Sequence, residues 1–454
     1  MNDLLEQCRE LAARTAEQAR RAGAAAAEVL VRDGSELTAK VRMGEPELVK
    51  QAQSRALGLR VIVDGRAAVT YTSDLSPAAL ARFVDDTLGL ARIAEPDDAN
   101  GLPDPAELAR ELPDLELYDE ALLGIDAATA LGWGKIGEAA ARAAGPHVTG
   151  SEGATFTRLA GVSAFATSDG FAAGWRATLA LFLVSPVCDD EGGKKRAGSW
   201  WTSARFLEGL DPWEEVGREA GRRAESAVGS RRVDTCQVPV VFDPEAGRHL
   251  LSAFAAVVNG SAWRRRGSYL IGREGGRCAS PLVTLVDDAL VPRGPGSRPF
   301  DGDGLASRAT IVVEEGVLRD VLCDVYTARK LGRRSTGSAS RGIGGMSSPS
   351  TTNFVMRAGA TPAAEMVAGV ERGFLCTDLM GFGFNAVTGD FSRGASGFWI
   401  EKGERVFPVS EVTLSANFDD LWQGVDAVGD TLDRRAAIVC PMFRVARMTL
   451  AGKG

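Results

Sequence analysis

Glycine-bearing turn signals set between β-type apolar runs recur along the chain and commit much of it to antiparallel hairpins. Glu28–Val31 and Leu37–Val41 read as strands around an Asp33-Gly34 turn, and Leu57–Val63 and Arg66–Thr72 flank Asp64-Gly65. Val148–Ala154 reads as a separate strand, and Val162–Thr167 meets Phe171–Val184 across Ser168-Asp169-Gly170. After Lys194 and Lys195 in a turn comes Ser199–Phe206. Glu314-Glu315-Gly316 and Glu401-Lys402-Gly403 predict two later hairpins.

Helices interrupt this pattern. Leu4, Leu5, Cys8, Leu11 and Ala12 recur at helical spacing near the start. Ser76-Pro77 is a cap and first-turn pair opening a helix to about Ile93, and Ala127–Ala144 is a further helix. In Asp211-Pro212-Trp213-Glu214 the aspartate can cap and the glutamate can reach back, starting a helix to about Val228. Asp243-Pro244 starts another, to about Val258.

A chain of 454 residues exceeds one ordinary core. Residues 94–116 are rich in Pro, Asp and Glu, and Gly229–Arg232 reads as a second boundary. The expected organisation is an N-terminal α+β domain over 1–95, a linker over 96–125, a central α+β domain over 126–230 and a β-rich C-terminal domain over 231–454. The expected class is therefore α+β. A mixed N-terminal half of antiparallel strands and helices precedes a β-rich domain with long loops such as Ser335–Ser350.

The net charge of −8 argues against a nucleic-acid binder, since phosphate binding draws on clustered Lys and Arg. The local runs Arg264-Arg265-Arg266 and Arg329, Lys330, Arg333, Arg334 read as solvated faces or carboxylate-binding edges. Met1–Arg20 lacks the apolar stretch of a signal peptide, and Ala177–Val187 is too short to span a bilayer. A cytoplasmic protein without membrane attachment is expected. Its 7 cysteines are scattered without a C-x-x-C pair and read as buried thiols.

The chain has only 2 histidines. His147 follows Gly145-Pro146 in a loop with no acid or cysteine at ligand spacing. His249 lies beside the apolar stripe Leu250, Phe254, Val257, Val258 of the helix opened by Asp243-Pro244. A zinc peptidase needs several converging ligands and a carboxylate to activate water, and after His249 this helix offers Leu250, Leu251, Ser252, Ala253 and Phe254 instead. Gly260-Ser261 and Gly337-Ser338 make no G-x-S-x-G elbow, and Gly342-Ile343-Gly344-Gly345 lacks the Lys-Ser/Thr ending of a phosphate loop.

Longer motifs are more specific. Thr377-Asp378-Leu379-Met380-Gly381 is followed by Asn385-Ala386-Val387-Thr388-Gly389-Asp390-Phe391-Ser392-Arg393-Gly394-Ala395-Ser396-Gly397-Phe398-Trp399-Ile400. Together these resemble the TldD/PmbA family. Tyr326–Gly332, Pro349–Phe354, Pro408–Leu414 before Asn417, and Gly58–Arg66 match further family segments, so the resemblance runs along the chain. In that family the TldD branch carries H-E-x-x-x-H and a later cysteine as a zinc site. The matching positions here are His249, Leu250, Phe254 and Ala395, a pattern similar to the TldE (PmbA) branch.

The resemblance implies a subunit of a heterodimeric TldD/TldE zinc metallopeptidase that trims unfolded peptides and matures peptide natural products. It implies no catalytic residue, metal or other cofactor in this chain, with zinc held by a TldD-like partner. The β-rich C-terminal half with its long loops adds the expectation that this subunit closes one wall of the substrate chamber and presents sheet edges to an extended peptide. Candidate substrate or partner contacts are His249, Asn385, Thr388, Asp390, Ser392 and Arg393 in and around a loop from Asn385 to Ser396, with Arg393 able to grip a carboxylate. The competing expectation for Asp390, Ser392 and Arg393 is that they tie the loop down. Two other readings compete for the whole chain: a stand-alone or homodimeric hydrolase with an unrecognised site, and a binding protein linked to DNA gyrase.

Overall fold

The computed structural model describes residues 2–452, leaving Met1, Lys453 and Gly454 outside the described residues. β1 (Ala26–Arg42) and β2 (Glu45–Val63) form one long hairpin, and β3 (Arg66–Thr72) turns back on the second half of β2. Asp64 and Gly65, with φ of 50° and 73°, make that turn as expected of an Asp-Gly pair. β4 (Val148–Thr167) and β5 (Ala172–Asp189) add a second long hairpin. β1 pairs with β4 from Glu28–Thr167 to Val41–Ala154, so strands from the two expected N-terminal units share one sheet. Its order is β3-β2-β1-β4-β5-β6, where β6 is Lys195–Ala197, and β7 (Trp200–Ala204) also pairs with β5.

Two helix pairs cover this sheet. α1 (Asn2–Arg21) and α2 (Pro77–Ile93) enclose a core with Cys8, Ala12, Val29, Leu59 and Val84. α3 (Ala127–Arg142) and α4 (Trp213–Ser226) enclose another around Phe156, Phe182 and Val216, where Trp133 and Trp213 stack at 4.5 Å.

Three local expectations are corrected. Asp33-Gly34 is not a turn; β1 runs through it and the chain reverses at Met43-Gly44 instead. Gly34 serves close strand approach: it faces Gly161 of β4, where an added Cβ would come within 3.0 Å of Gly34 Cα. Asp33 is buried there and meets Arg55 at 3.3 Å. Val148–Ala154 and Val162–Thr167 are the two ends of the single strand β4. Asp211 does not cap α4; Pro212 occupies the N-cap with no side-chain bond, and Glu214 pairs forward with Arg218 at 3.4 Å.

The rest of the chain is β-rich. β8 (Cys236–Phe242) runs parallel to Arg372–Met380 and antiparallel to Phe443–Ala451. Asp390–Glu401 and Glu404–Asn417 extend the sheet from Arg372–Met380, and Glu404–Asn417 also pairs with Phe443–Ala451. The sheet thereby curls until two non-neighbouring strands meet. A smaller sheet centres on Leu285–Asp288 and Phe354–Met356. The fold is α+β with a β-rich C-terminal region. Among the described residues no helix is long and apolar enough to cross a membrane.

Candidate functional site: a cleft between the two sheets

α5 (Pro244–Val257) sets the floor of the site. Asp243 caps it by accepting from the Ala246 N–H at 2.8 Å, and Pro244 fits the first turn. Leu250, Leu251, Phe254 and Val257 face the C-terminal core, where Phe254 meets Trp422 edge-on at 5.3 Å. That packing turns His249 outward onto the wall of a cleft of about 890 Å³, where its edge is open and the cleft walls desolvate the rest of the ring.

The opposite walls come from distant segments. α4 and the β6–β7 segment supply Arg222, Arg223 and Trp201, while the strands Arg372–Met380 and Asp390–Glu401 supply Asp378 and Ser396. Gly397 permits this closeness, because a Cβ there would lie 1.9 Å from the Leu375 carbonyl oxygen. Glu404–Asn417 adds Arg405.

Burial, and then the charge of Arg393, hold the His249 imidazole below its ordinary value, while Asp378 pulls the other way. Glu245 pairs with Arg248 and accepts from the Trp201 indole N–H at 3.4 Å. Burial pushes the Asp243 carboxyl up to about 7, against its bond from Ala246 and the Arg223 charge. Because the folded state holds this proton more tightly than the unfolded one, stability is full below about pH 4 and falls as pH rises toward 7. Asp243→Asn keeps a capping oxygen, so thermal unfolding of that variant is expected to lose this slope. An unchanged slope would mean that Asp243 is not the titrating group.

The other candidate residues cluster at the turn between Arg372–Met380 and Asp390–Glu401. The expected loop ends early, since residues from Asp390 onward are strand. Asn385 Oδ1 accepts from the Val387 N–H at 3.0 Å, and Thr388 donates to Asp390 at 2.6 Å. Ser392 and Ser415 hydroxyls lie 3.2 Å apart, and Arg393 donates to the Leu379 carbonyl at 2.9 Å. None of this group is among the residues that line the cleft; Arg393 bears on it only through the charge it sets against His249. His147 lies elsewhere, with Nδ1 2.5 Å from Glu225.

Arg405, Arg222, Arg223 and Asp243 were not singled out as site residues from the sequence. Only Asp243 carries a local signal, as a helix cap, and Asp378 falls within Thr377–Gly381 with nothing local to mark it as a cleft residue.

Models of the PmbA/TldA metallopeptidase match the chain in three parts: domain 1 over residues 27–91, the central domain over 120–228 and the C-terminal domain over 235–452. The metalloprotease PmbA of Escherichia coli O157:H7 is 33% identical over 94% of this chain and 92% of its own length. The chain belongs to the PmbA/TldD family. It stands on the PmbA branch, and a PmbA homolog of Haemophilus influenzae is 31% identical over 98% of this chain and 96% of its own. The structure of TldE from Thermococcus kodakarensis shares the fold, with a TM-score of 0.86 at 21% identity, covering 97% of this chain and 99% of that one. A Bacteroides thetaiotaomicron structure superposes with a TM-score of 0.90 at 27% identity over 98% of both chains.

A metallopeptidase family raises the question of a metal. The residues do not fit one: His249 supplies one nitrogen, while Leu250, Phe254 and Ala395 are fully buried hydrocarbon. Among the described residues no three of His, Cys, Asp and Glu gather to hold an ion.

Proposed function

We propose that this chain is the non-metal-binding subunit of a heterodimeric TldD/TldE zinc peptidase of the cytoplasm. The complex acts on short unfolded peptides and on ribosomally made precursors of peptide natural products. One observation supports this above others. The helix that carries the family's ligand positions is retained as architecture, while Leu250 and Phe254 have joined the core.

In this reading zinc and the water-activating carboxylate belong to the TldD-like partner, and this chain forms a wall of the shared chamber. β2 supports a role in holding peptide backbone, because β3 pairs with Leu57–Val63 and, among the described residues, no strand pairs with the outer edge from Glu45 to Ala56. An extended peptide gains main-chain hydrogen bonds at such an edge irrespective of sequence.

The test is turnover of a fluorogenic peptide by the purified chain, by a TldD-like partner and by both together, each with and without a zinc chelator. Turnover is expected only when the partner is present, and the chelator is expected to abolish it. Chelator-insensitive hydrolysis by the lone chain would sink the proposal.

A further inference from the structure

We propose that the cleft binds the carboxylate of a short peptide at Arg405, with Arg222 and Arg223 beside it. The inference deepens the reading of this chain as one wall of a peptide chamber, and rests on it.

Cations on the cleft wall are mostly committed to neighbours. Arg196 pairs with Asp190 at 2.6 Å, and Lys195 pairs with Asp189. Arg222 meets Glu219 through two bonds of 2.8 and 2.7 Å, and Arg223 meets the same carboxylate at 2.8 Å. Arg405 differs, because among the described residues it enters no ion pair. Its guanidinium lies 5.8 Å from the centre of the Phe398 ring, a partner that leaves its N–H groups available.

Arg405 lies at an exposed position, and partial desolvation by the cleft wall, followed by the charges of Arg222 and Arg223, lowers its proton affinity. Of the carboxylates on the cleft wall, Glu245 is paired with Arg248, and the only ones in ion pairs with Arg222 and Arg223 among the described residues are Asp243 and, behind them, Glu219, which leaves three guanidinium groups against two carboxylates around Arg405. Glu219 is shared by two of the arginines, and Asp243 spends one oxygen on the α5 cap. The unbalanced charge is positive, it faces an open cavity, and the free guanidinium has the planar fork that matches a carboxylate. Arg393, the arginine suggested by sequence for this task, is bonded instead to the carbonyls of Leu379 and Met380.

A peptide offers such a carboxylate at its C-terminus or on an acidic side chain. Calorimetric titration of the full-length chain with pentaalanine, its C-terminal amide and an amide carrying one internal glutamate separates the two. The free acid is expected to bind about tenfold more tightly than the plain amide, the scale of one charge-assisted bond. Arg405→Gln, at an exposed position, is expected to erase that preference while leaving binding of the amide and the thermal midpoint unchanged. Tight binding of the glutamate-bearing amide assigns the site to side-chain carboxylates, and weak binding assigns it to the terminus. Equal binding of acid and plain amide, persistence of the preference in Arg405→Gln, or no binding of any peptide would overturn the proposal. The titration needs neither partner nor zinc, so its failure is distinguishable from lone-chain hydrolysis, which bears on the subunit assignment.

Discussion

Arg341→Ala is expected to lower the stability of the folded chain by about 3–5 kcal/mol at neutral pH, the usual cost of breaking a buried ion pair from one side. Glu28 on β1 accepts from Arg60 at 2.9 Å and from Arg341 at 2.7 Å, and Arg341 reaches Asp303 at 3.2 Å. The side chains of Glu28 and Arg341 are only 2% and 5% exposed, so water cannot replace a lost partner. The network joins the N-terminal sheet to the glycine-rich loop of the C-terminal region. That loop presses so close that a Cβ on Gly58 would lie 1.7 Å from the Ile343 carbonyl oxygen.

The same network has a pH signature. Burial alone would push the Glu28 carboxyl up, but the Arg341 and Arg60 charges outweigh it and hold the group at about 2. The folded state thus binds this proton more weakly than the unfolded chain, whose carboxyl titrates near 4.5. Stability from this group is complete above about pH 4.5 and is lost as pH falls toward 2. A shift of that size corresponds to about 3 kcal/mol. Urea unfolding from pH 2 to 7 should show this acid limb in the parent and a shrunken one in Arg341→Ala. A loss below about 1 kcal/mol at pH 7 would mean that the network carries no net stabilisation.

What could be read from the sequence follows from how local each signal is. Asp64-Gly65, Glu315-Gly316 and Lys402-Gly403 form turns because both residues of each pair adopt positive φ, a requirement written into two adjacent positions. Pro77 and Pro244 sit in first helical turns for a similarly local reason. Asp33-Gly34 carries the same two letters, yet its glycine answers to Gly161 on another strand, and nothing adjacent reveals that. The cleft is legible in the same uneven way. His249 stands out because histidine is scarce, but the Arg405 cluster is assembled from α4, α5 and a late strand. Its meaning also depends on which arginines are already paired, a property of three-dimensional neighbours that spacing along the chain does not encode.

The packing of α5 has its own measurable consequence. Phe254→Ala is expected to lower unfolding free energy by about 3–5 kcal/mol, because the ring is fully buried and its removal leaves a cavity beside Trp422. Trp422 in turn stacks with Phe443 at 5.7 Å and Phe443 with Phe242 at 5.1 Å, so the cavity would open inside a continuous aromatic column with little freedom to collapse. Phe254→His tests the functional side of the argument. It places a second imidazole at the spacing from His249 that the resemblance implies for the TldD zinc site, but Leu250 and Ala395 supply no donor. This variant should therefore lose stability through a poorly satisfied polar ring, and zinc should not raise its unfolding midpoint. If Phe254→Ala cost less than about 1 kcal/mol, the position would not be packed as described. If zinc restored Phe254→His to parental stability, the helix would hold a latent metal site, and the proposed division of labour between two subunits would need another basis than the missing ligands.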